Sequence, residues 1–98
     1  PVLILKMLHR QLRNALEEIF GVRFVTQALE EESTAYNVLF DRPDEFKKAI
    51  LKFGKLNYRE EHTIYVDNLD DDLKIALVCS LLHNGTRELV SELGLNYL

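Results

Sequence analysis

The sequence predicts a small α+β fold, in which a three-stranded sheet is covered by about four helices in the order α-β-β-α-β-α-α. Apolar residues recur every three or four positions from Leu5 to Ile19, which is the spacing of an amphipathic helix. Over three later segments, apolar and polar residues alternate instead, as they do in half-buried strands. Because no internal repeat or Gly/Ser-rich linker interrupts these patterns, we expect a single domain over residues 1–98.

The first half of the chain predicts a helix followed by a hairpin. The helix is expected over Val2–Phe20, and Gly21 suits its C-terminal end. Strands at Val22–Leu29 and Ala35–Phe40 then flank a polar hairpin loop at Glu30–Thr34. Helices are expected to cover the sheet face that carries Phe24, Val38, Phe40 and Ile64.

The second half predicts three more helices and one strand. Pro43, with acids directly after it, is typical of a helix start, and Gly54 is suited to the end of that helix. His62–Val66 alternates and predicts the third strand. Helices are then expected at Asp71–His83 and from Thr86 to Gly94, where a glycine again follows an apolar stripe.

The composition is typical of a globular protein rather than a disordered or membrane-spanning one. Hydrophobic residues make up 47% of the chain and charged residues 29%. Val2–Leu5 and Ile75–Cys79 are much shorter than the roughly 20 apolar residues of a membrane helix. Val2–Leu5 is also shorter than the roughly 7–15-residue core of a secretory signal. Since one cysteine cannot form an internal disulfide, a cytoplasmic location without a membrane partner is expected.

The predicted helix Asp71–His83 is unusual because apolar residues surround its axis. An apolar tail, Leu95–Leu98, follows the last predicted helix. We therefore expect a non-enzymatic interaction or regulatory module that forms a homodimer or binds another protein. The expected contact residues are Leu73, Leu77, Leu81, Ile75, Val78, Leu82, Leu95, Tyr97 and Leu98. If other helices of the same chain cover Asp71–His83, a monomer is expected instead.

Two alternative functions follow from the charge pattern. If the first two predicted helices lie side by side, their bases would form a strip able to follow a nucleic-acid backbone, although the sequence pI of about 5.3 disfavours it. That strip would comprise Lys6, Arg10, Arg13, Lys48, Lys52 and Lys55. Alternatively, clustered acids could imitate phosphates and inhibit a nucleic-acid enzyme. Those acids are Glu30, Glu31, Glu32, Glu60, Glu61, Asp67, Asp70, Asp71 and Asp72.

Motifs for metal or nucleophilic chemistry are incomplete in the sequence. Cys79 and His83 lie four residues apart on one helix face, but no second close Cys/His pair completes a zinc site. The spacing Asn68-x-Asp70-x-Asp72 is that of a calcium loop. However, Leu73 occupies the glycine position of that loop, and Cys79 occupies its glutamate position. We therefore expect no cofactor, no metal and no enzymatic activity.

The segment Thr86–Leu95 resembles the opening helix and turn of helix-turn-helix DNA-binding domains. The resemblance covers ten residues of 98. As a DNA-reading helix it would present Glu88, Ser91 and Glu92, with Arg87 as the only base, and this charge disfavours contact with phosphates.

Overall fold

The computed structural model describes residues 2–84, and the side chains of residues 10–83, as an all-helical fold. No strand occurs within residues 2–84, so the predicted α+β class and its three-stranded sheet are wrong. The predicted helix from Thr86 to Gly94 and the tail Leu95–Leu98 lie outside the described residues. The six helices are α1 (Val2–Phe20), α2 (Val22–Glu30), α3 (Glu32–Asp41), α4 (Pro43–Lys55), α5 (Arg59–Val66) and α6 (Asp71–Asn84).

Three helices agree with the sequence prediction. α1 has the predicted bounds and ends at Phe20, and Gly21 follows with a φ of 98°, which favours glycine. α4 begins at Pro43, which suits the first turn of a helix, and it continues one residue beyond Gly54. α6 begins at Asp71 as predicted.

The two strands of the predicted hairpin are the short helices α2 and α3. Val25 and Ala28 are the buried residues of α2, and Ala35 and Val38 are those of α3. Both pairs are three residues apart, which places them on one side of a helix. The same residues also take part in an alternating pattern, and the β-branched and aromatic residues around them favour strands. Packing against α6 buries the helical pairs.

The third predicted strand is helix α5. His62 and Val66 are its buried residues, four positions apart, whereas Ile64 is exposed. The His62 ring lies between two backbone carbonyls, with Nδ1 2.9 Å from the oxygen of Tyr58 and Nε2 2.8 Å from that of Phe53. The ring also contacts Phe53 edge-on, at 4.5 Å between ring centroids. His62 therefore joins α5 to the end of α4.

Helix α6 lies at the centre of the fold and packs against α1, α2, α3 and α4. Its residues from Ile75 to Leu82 are all buried, which explains why apolar residues surround its axis. Asp70 caps its start, because a carboxylate oxygen accepts a 2.8 Å hydrogen bond from the amide of Leu73. Along residues 2–84, no helix combines the length and the apolar character that a membrane crossing requires.

Candidate protein-interaction site

Helix α3 carries an exposed apolar stripe, formed by Tyr36, Leu39 and Phe40. Their exposed fractions are 69%, 37% and 87% respectively. Positions i, i+3 and i+4 share one side of a helix, so the three side chains are neighbours. Exposed apolar patches of this kind mark binding surfaces more often than isolated apolar residues do.

A groove of about 200 Å³ lies beside this stripe, between α3 and α6. Buried residues of both helices contribute to its lining, and Tyr36 and Leu39 belong both to the groove and to the α3 stripe. The complete lining consists of Glu32, Ala35, Tyr36, Leu39, Cys79, Ser80 and His83. A groove with an apolar wall between two helices is the geometry that accepts an amphipathic helix.

The polar end of the groove is a side-chain contact between α3 and α6. His83 Nε2 lies 3.0 Å from Glu32 Oε1, and both side chains are about half exposed. Because Glu32 begins α3 and His83 lies near the end of α6, the two helices run antiparallel along the groove.

The groove lacks the features of a nucleophilic site. Cys79 is buried, and its Sγ donates a hydrogen bond to the carbonyl of Ala28 at 3.2 Å. Burial raises the pKa of the Cys79 thiol, and the negative charges of Glu32 and Glu31 raise it further. Since the thiolate is the reactive form, this cysteine is suited to packing rather than to attack.

Acidic side chains lie at both ends of the α3 stripe. Glu31 and Glu32 precede it, and Asp41 and Asp44 follow it. The base in this region, Arg42, is held by other acids. Its Nη2 lies 2.7 Å from Asp70 and 2.6 Å from Glu45. These hydrogen bonds, that to Asp70 first, raise the pKa of Arg42 above its ordinary value. Along the sequence, acidic residues therefore flank the stripe on both sides.

The six contact residues predicted on α6 lie inside the protein. All are at most 7% exposed, so other helices of the same chain cover them. They are Leu73, Ile75, Leu77, Val78, Leu81 and Leu82. The other three predicted contact residues, Leu95, Tyr97 and Leu98, lie outside the described residues. An interaction surface of the described part must therefore be sought elsewhere than on the apolar residues of α6.

The residues of the predicted basic strip are divided between two helices with different neighbours. Arg10 and Arg13 lie on α1, as does Lys6, whose side chain is outside the described ones. Lys48, Lys52 and Lys55 are exposed on α4. The main contacts of α1 are with α2, α5 and α6, whereas those of α4 are with α3 and α6. These contacts do not bring the two groups of bases together.

Two of these bases also have partners within the protein. Arg13 Nε lies 3.8 Å from Glu17, four residues along the same helix. Lys52 Nζ lies 4.8 Å from the centre of the Tyr65 ring, within the range of a cation–π contact. Both contacts hold the basic side chains against neighbouring residues of the same protein.

The predicted acidic cluster is likewise distributed over the molecule. Glu30, Glu31 and Glu32 lie at the α2–α3 junction, near the end of α6, whereas Asp70, Asp71 and Asp72 lie at its start. A 14-residue helix spans about 20 Å, so these two groups are well separated. The remaining acids are Glu60 and Glu61 in the first turn of α5 and Asp67 at its end.

Metal binding finds no support in residues 2–84, where no group of three or more His, Cys, Asp or Glu side chains could hold an ion. Asp70, part of the calcium-like spacing, instead caps α6 and pairs with Arg42.

Neither a protein-family model, nor a curated protein, nor a solved structure matches this chain.

Sequence reasoning missed the α3 stripe because it assigned Phe40 to a strand and to the covered face of a sheet. The signal was present: Tyr36, Leu39 and Phe40 have helical spacing, and so do the buried residues Ala35 and Val38. Those two series occupy different sides of one helix, and only contact with α6 shows which side is inside.

Proposed function

We propose that this protein is a non-enzymatic protein-interaction module, and that it binds a partner in the groove between α3 and α6. The observation that supports this most is the exposed stripe of Tyr36, Leu39 and Phe40 on a chain whose central helix is covered on all sides. Aromatic side chains beside a partly apolar groove are the usual anchors of protein binding.

The partner that fits this site is an amphipathic helix with basic residues at both ends. The apolar side of such a helix would pack on the α3 stripe. Its basic ends would lie near Glu31 and Glu32 at one end of the stripe and near Asp41 and Asp44 at the other. Complementary charges of this kind favour the correct partner and its orientation. We propose the cytoplasm as the place of action, since the one cysteine needs no oxidising compartment.

The test uses a fluorescein-labelled helical peptide with leucines along one side and lysines at both ends. We expect the 98-residue chain to bind this peptide and to bind it more weakly as salt rises. A peptide with the same leucines but glutamates at both ends should bind much more weakly.

The site is tested by a matched pair of double variants. Tyr36→Ser with Phe40→Ser should weaken peptide binding about tenfold or more, as the loss of central aromatic anchors does. Tyr58→Ser with Ile64→Ser is the control, because these two side chains are 68% and 60% exposed but do not belong to α3. Tyr58 directly precedes α5, and Ile64 lies within it. Equal binding by both double variants, or equal binding of both peptides, would contradict the proposal. If the protein forms a homodimer and only the α3 double variant dissociates it, then the partner at this site is a second copy of the chain and not a basic helix.

A further inference from the structure

We infer that the outward side of α4 is a second interaction surface, and that it binds an acidic amphipathic helix of another protein. This partner is opposite in charge to the one proposed for the groove, so the inference goes beyond the proposed function and does not depend on it. The surface, which we call the lysine face, consists of Lys47, Lys48, Leu51, Lys52 and Lys55.

The first support is the arrangement of these residues on α4. All five are exposed, and helical geometry places them within about 140° of the helix circumference. Ala49 and Phe53 are buried on the other side of the helix, where α4 packs on the rest of the fold. From Lys47 to Lys55 the face extends about 12 Å, or roughly two turns. It is therefore a continuous surface, directed away from the core.

The second support is that the charges of the lysine face are not balanced within the described part of the protein. Among the residues that the structure describes, none of these four lysines forms a salt bridge, whereas Arg13, Arg42 and Arg59 each pair with a carboxylate. Lys52 contacts the face of the Tyr65 ring, which leaves its charge without an anion. Four positive charges are thus concentrated on one helix side of a chain whose formal net charge is −4.

The helix dipole explains only part of this pattern. Lys52 and Lys55 lie in the last turn of α4, where a positive charge stabilises a helix. Lys47 and Lys48 lie near the middle, where the dipole has little effect. The acids of the helix are confined to its first turn, at Asp44 and Glu45. The middle and the end of α4 are therefore suited to an anionic partner.

The third support, Leu51, selects the kind of partner. This side chain is 48% exposed and lies between the lysines. A nucleic-acid backbone offers phosphates but no apolar group for it, and a chain with a net negative charge repels a long polyanion. One leucine is also too little apolar surface for a membrane-bound helix. A protein helix with an apolar residue between acids supplies both kinds of contact.

The experiment uses a fluorescein-labelled, alanine-based helical peptide with one central leucine and four glutamates on the same side. We expect the 98-residue chain to bind this acidic peptide, measured by fluorescence anisotropy, and to bind it more weakly as salt rises. The same peptide with glutamines in place of the glutamates should bind about tenfold more weakly or worse. Equal binding of the two peptides would overturn the inference.

A pair of charge variants locates the site. Lys48→Glu with Lys55→Glu should weaken binding of the acidic peptide about tenfold or more, because like charges then oppose each other. Arg10→Glu with Arg23→Glu changes the net charge equally, at exposed positions of α1 and α2. This control should weaken binding by less than about twofold, since distant surface charges are screened by salt. Equal losses would show an effect of net charge alone and would overturn the inference.

A second pair tests the apolar centre of the lysine face. Leu51→Ser should weaken binding about fivefold, because the peptide no longer covers an apolar side chain. Val22→Ser is the control, since Val22 is 62% exposed but lies on α2. Unchanged affinity in Leu51→Ser would overturn the inference. So would tighter binding of a single-stranded oligonucleotide than of the acidic peptide, because the face would then select phosphates.

The two proposals fail separately. The double variant Tyr36→Ser with Phe40→Ser should bind the acidic peptide normally, and Lys48→Glu with Lys55→Glu should still bind the lysine-ended peptide. If only the acidic peptide binds, and only through α4, the lysine face is correct and the proposed function is wrong. If only the lysine-ended peptide binds, the proposed function holds and the lysine face is not a binding surface. Loss of the acidic peptide in the α3 double variant would place that peptide at the groove and overturn the inference.

Discussion

Helices α6 and α3 treat their apolar residues in opposite ways. From Ile75 to Leu82, α6 buries every side chain, whereas α3 buries Ala35 and Val38 and exposes Tyr36 and Phe40. The sequence suggested the reverse, with a binding surface on the more apolar helix. A helix with apolar residues all round its axis is therefore expected to be buried in the core. A binding surface is better sought where apolar side chains remain exposed after the neighbouring helices have packed.

The largest expected effect compares a leucine from each helix. Leu77 is fully buried on α6, so Leu77→Ala should lower the free energy of unfolding by about 2–5 kcal/mol. Leu39 is 37% exposed on α3, so Leu39→Ala should change it by less than about 1 kcal/mol. Chemical denaturation of the two variants measures both values. Similar losses would mean that α3 is as much a part of the core as α6.

The contrast also separates stability from binding at Phe40. Phe40→Ser removes an 87% exposed side chain, so the free energy of unfolding should change by about 0.5 kcal/mol at most. Binding of the lysine-ended peptide should weaken about tenfold, which corresponds to about 1.4 kcal/mol. Calorimetric titration and denaturation of the same preparation measure the two effects. A large loss of stability without a loss of affinity would assign Phe40 to the core.

How much the sequence predicts depends on the length and the ends of each helix. α1, α4 and α6 are 13 to 19 residues long, and a proline, a glycine or an acidic first turn marks their ends. α2, α3 and α5 are 8 to 10 residues long, and over such a span a helical stripe and a strand alternation share the same apolar positions. Their β-branched and aromatic residues then favour the wrong choice, and packing decides against it.

The same limit applies to the site. Val38 and Phe40 share a face in a strand but not in a helix, so one wrong assignment placed an exposed aromatic in the core. Cys79 and His83 were correctly placed on one helix, but Glu32, which pairs with His83, is 51 positions distant in sequence. Contacts over that separation depend on the fold and are not visible in local periodicity.

A smaller effect is expected at the start of α6, where Asp70 caps the helix that the comparison places at the centre. Its hydrogen bond with Arg42 holds the pKa of Asp70 below the ordinary value. The carboxylate therefore contributes stability above the pH at which an unfolded aspartate ionises, and this contribution is lost as the pH falls through the folded-state pKa.

Asp70→Asn tests this contribution because asparagine can still cap the helix but cannot form the ion pair. The variant should be less stable than the natural protein at pH 7, by about 0.5 kcal/mol, since both partners are partly exposed. The difference should shrink as the pH falls from 7 to about 2, because protonation of the Asp70 carboxylate removes the ion pair. Denaturation at the two pH values measures it, with Asp67→Asn at the end of α5 as the control. A constant difference would show that the ion pair is not its cause.

The smallest effect is expected at the junction before α3. Glu31→Ala should change the free energy of unfolding by no more than about 0.5 kcal/mol, because the side chain is only partly buried at a helix junction. It should weaken binding of the lysine-ended peptide at low salt and have less effect at high salt. A large loss of stability would assign this acid to the fold rather than to the rim of the groove.

The central claim is that the exposed face of α3, and not the apolar residues of α6, carries the binding surface. An NMR titration of the isotope-labelled 98-residue chain with the lysine-ended peptide tests it most directly. We expect the largest shifts at Tyr36, Leu39, Phe40 and His83, with small shifts at Tyr58 and Ile64. Shifts centred on α5, or broad loss of the signals from Leu77 and Leu81 as the core opens, would contradict the account.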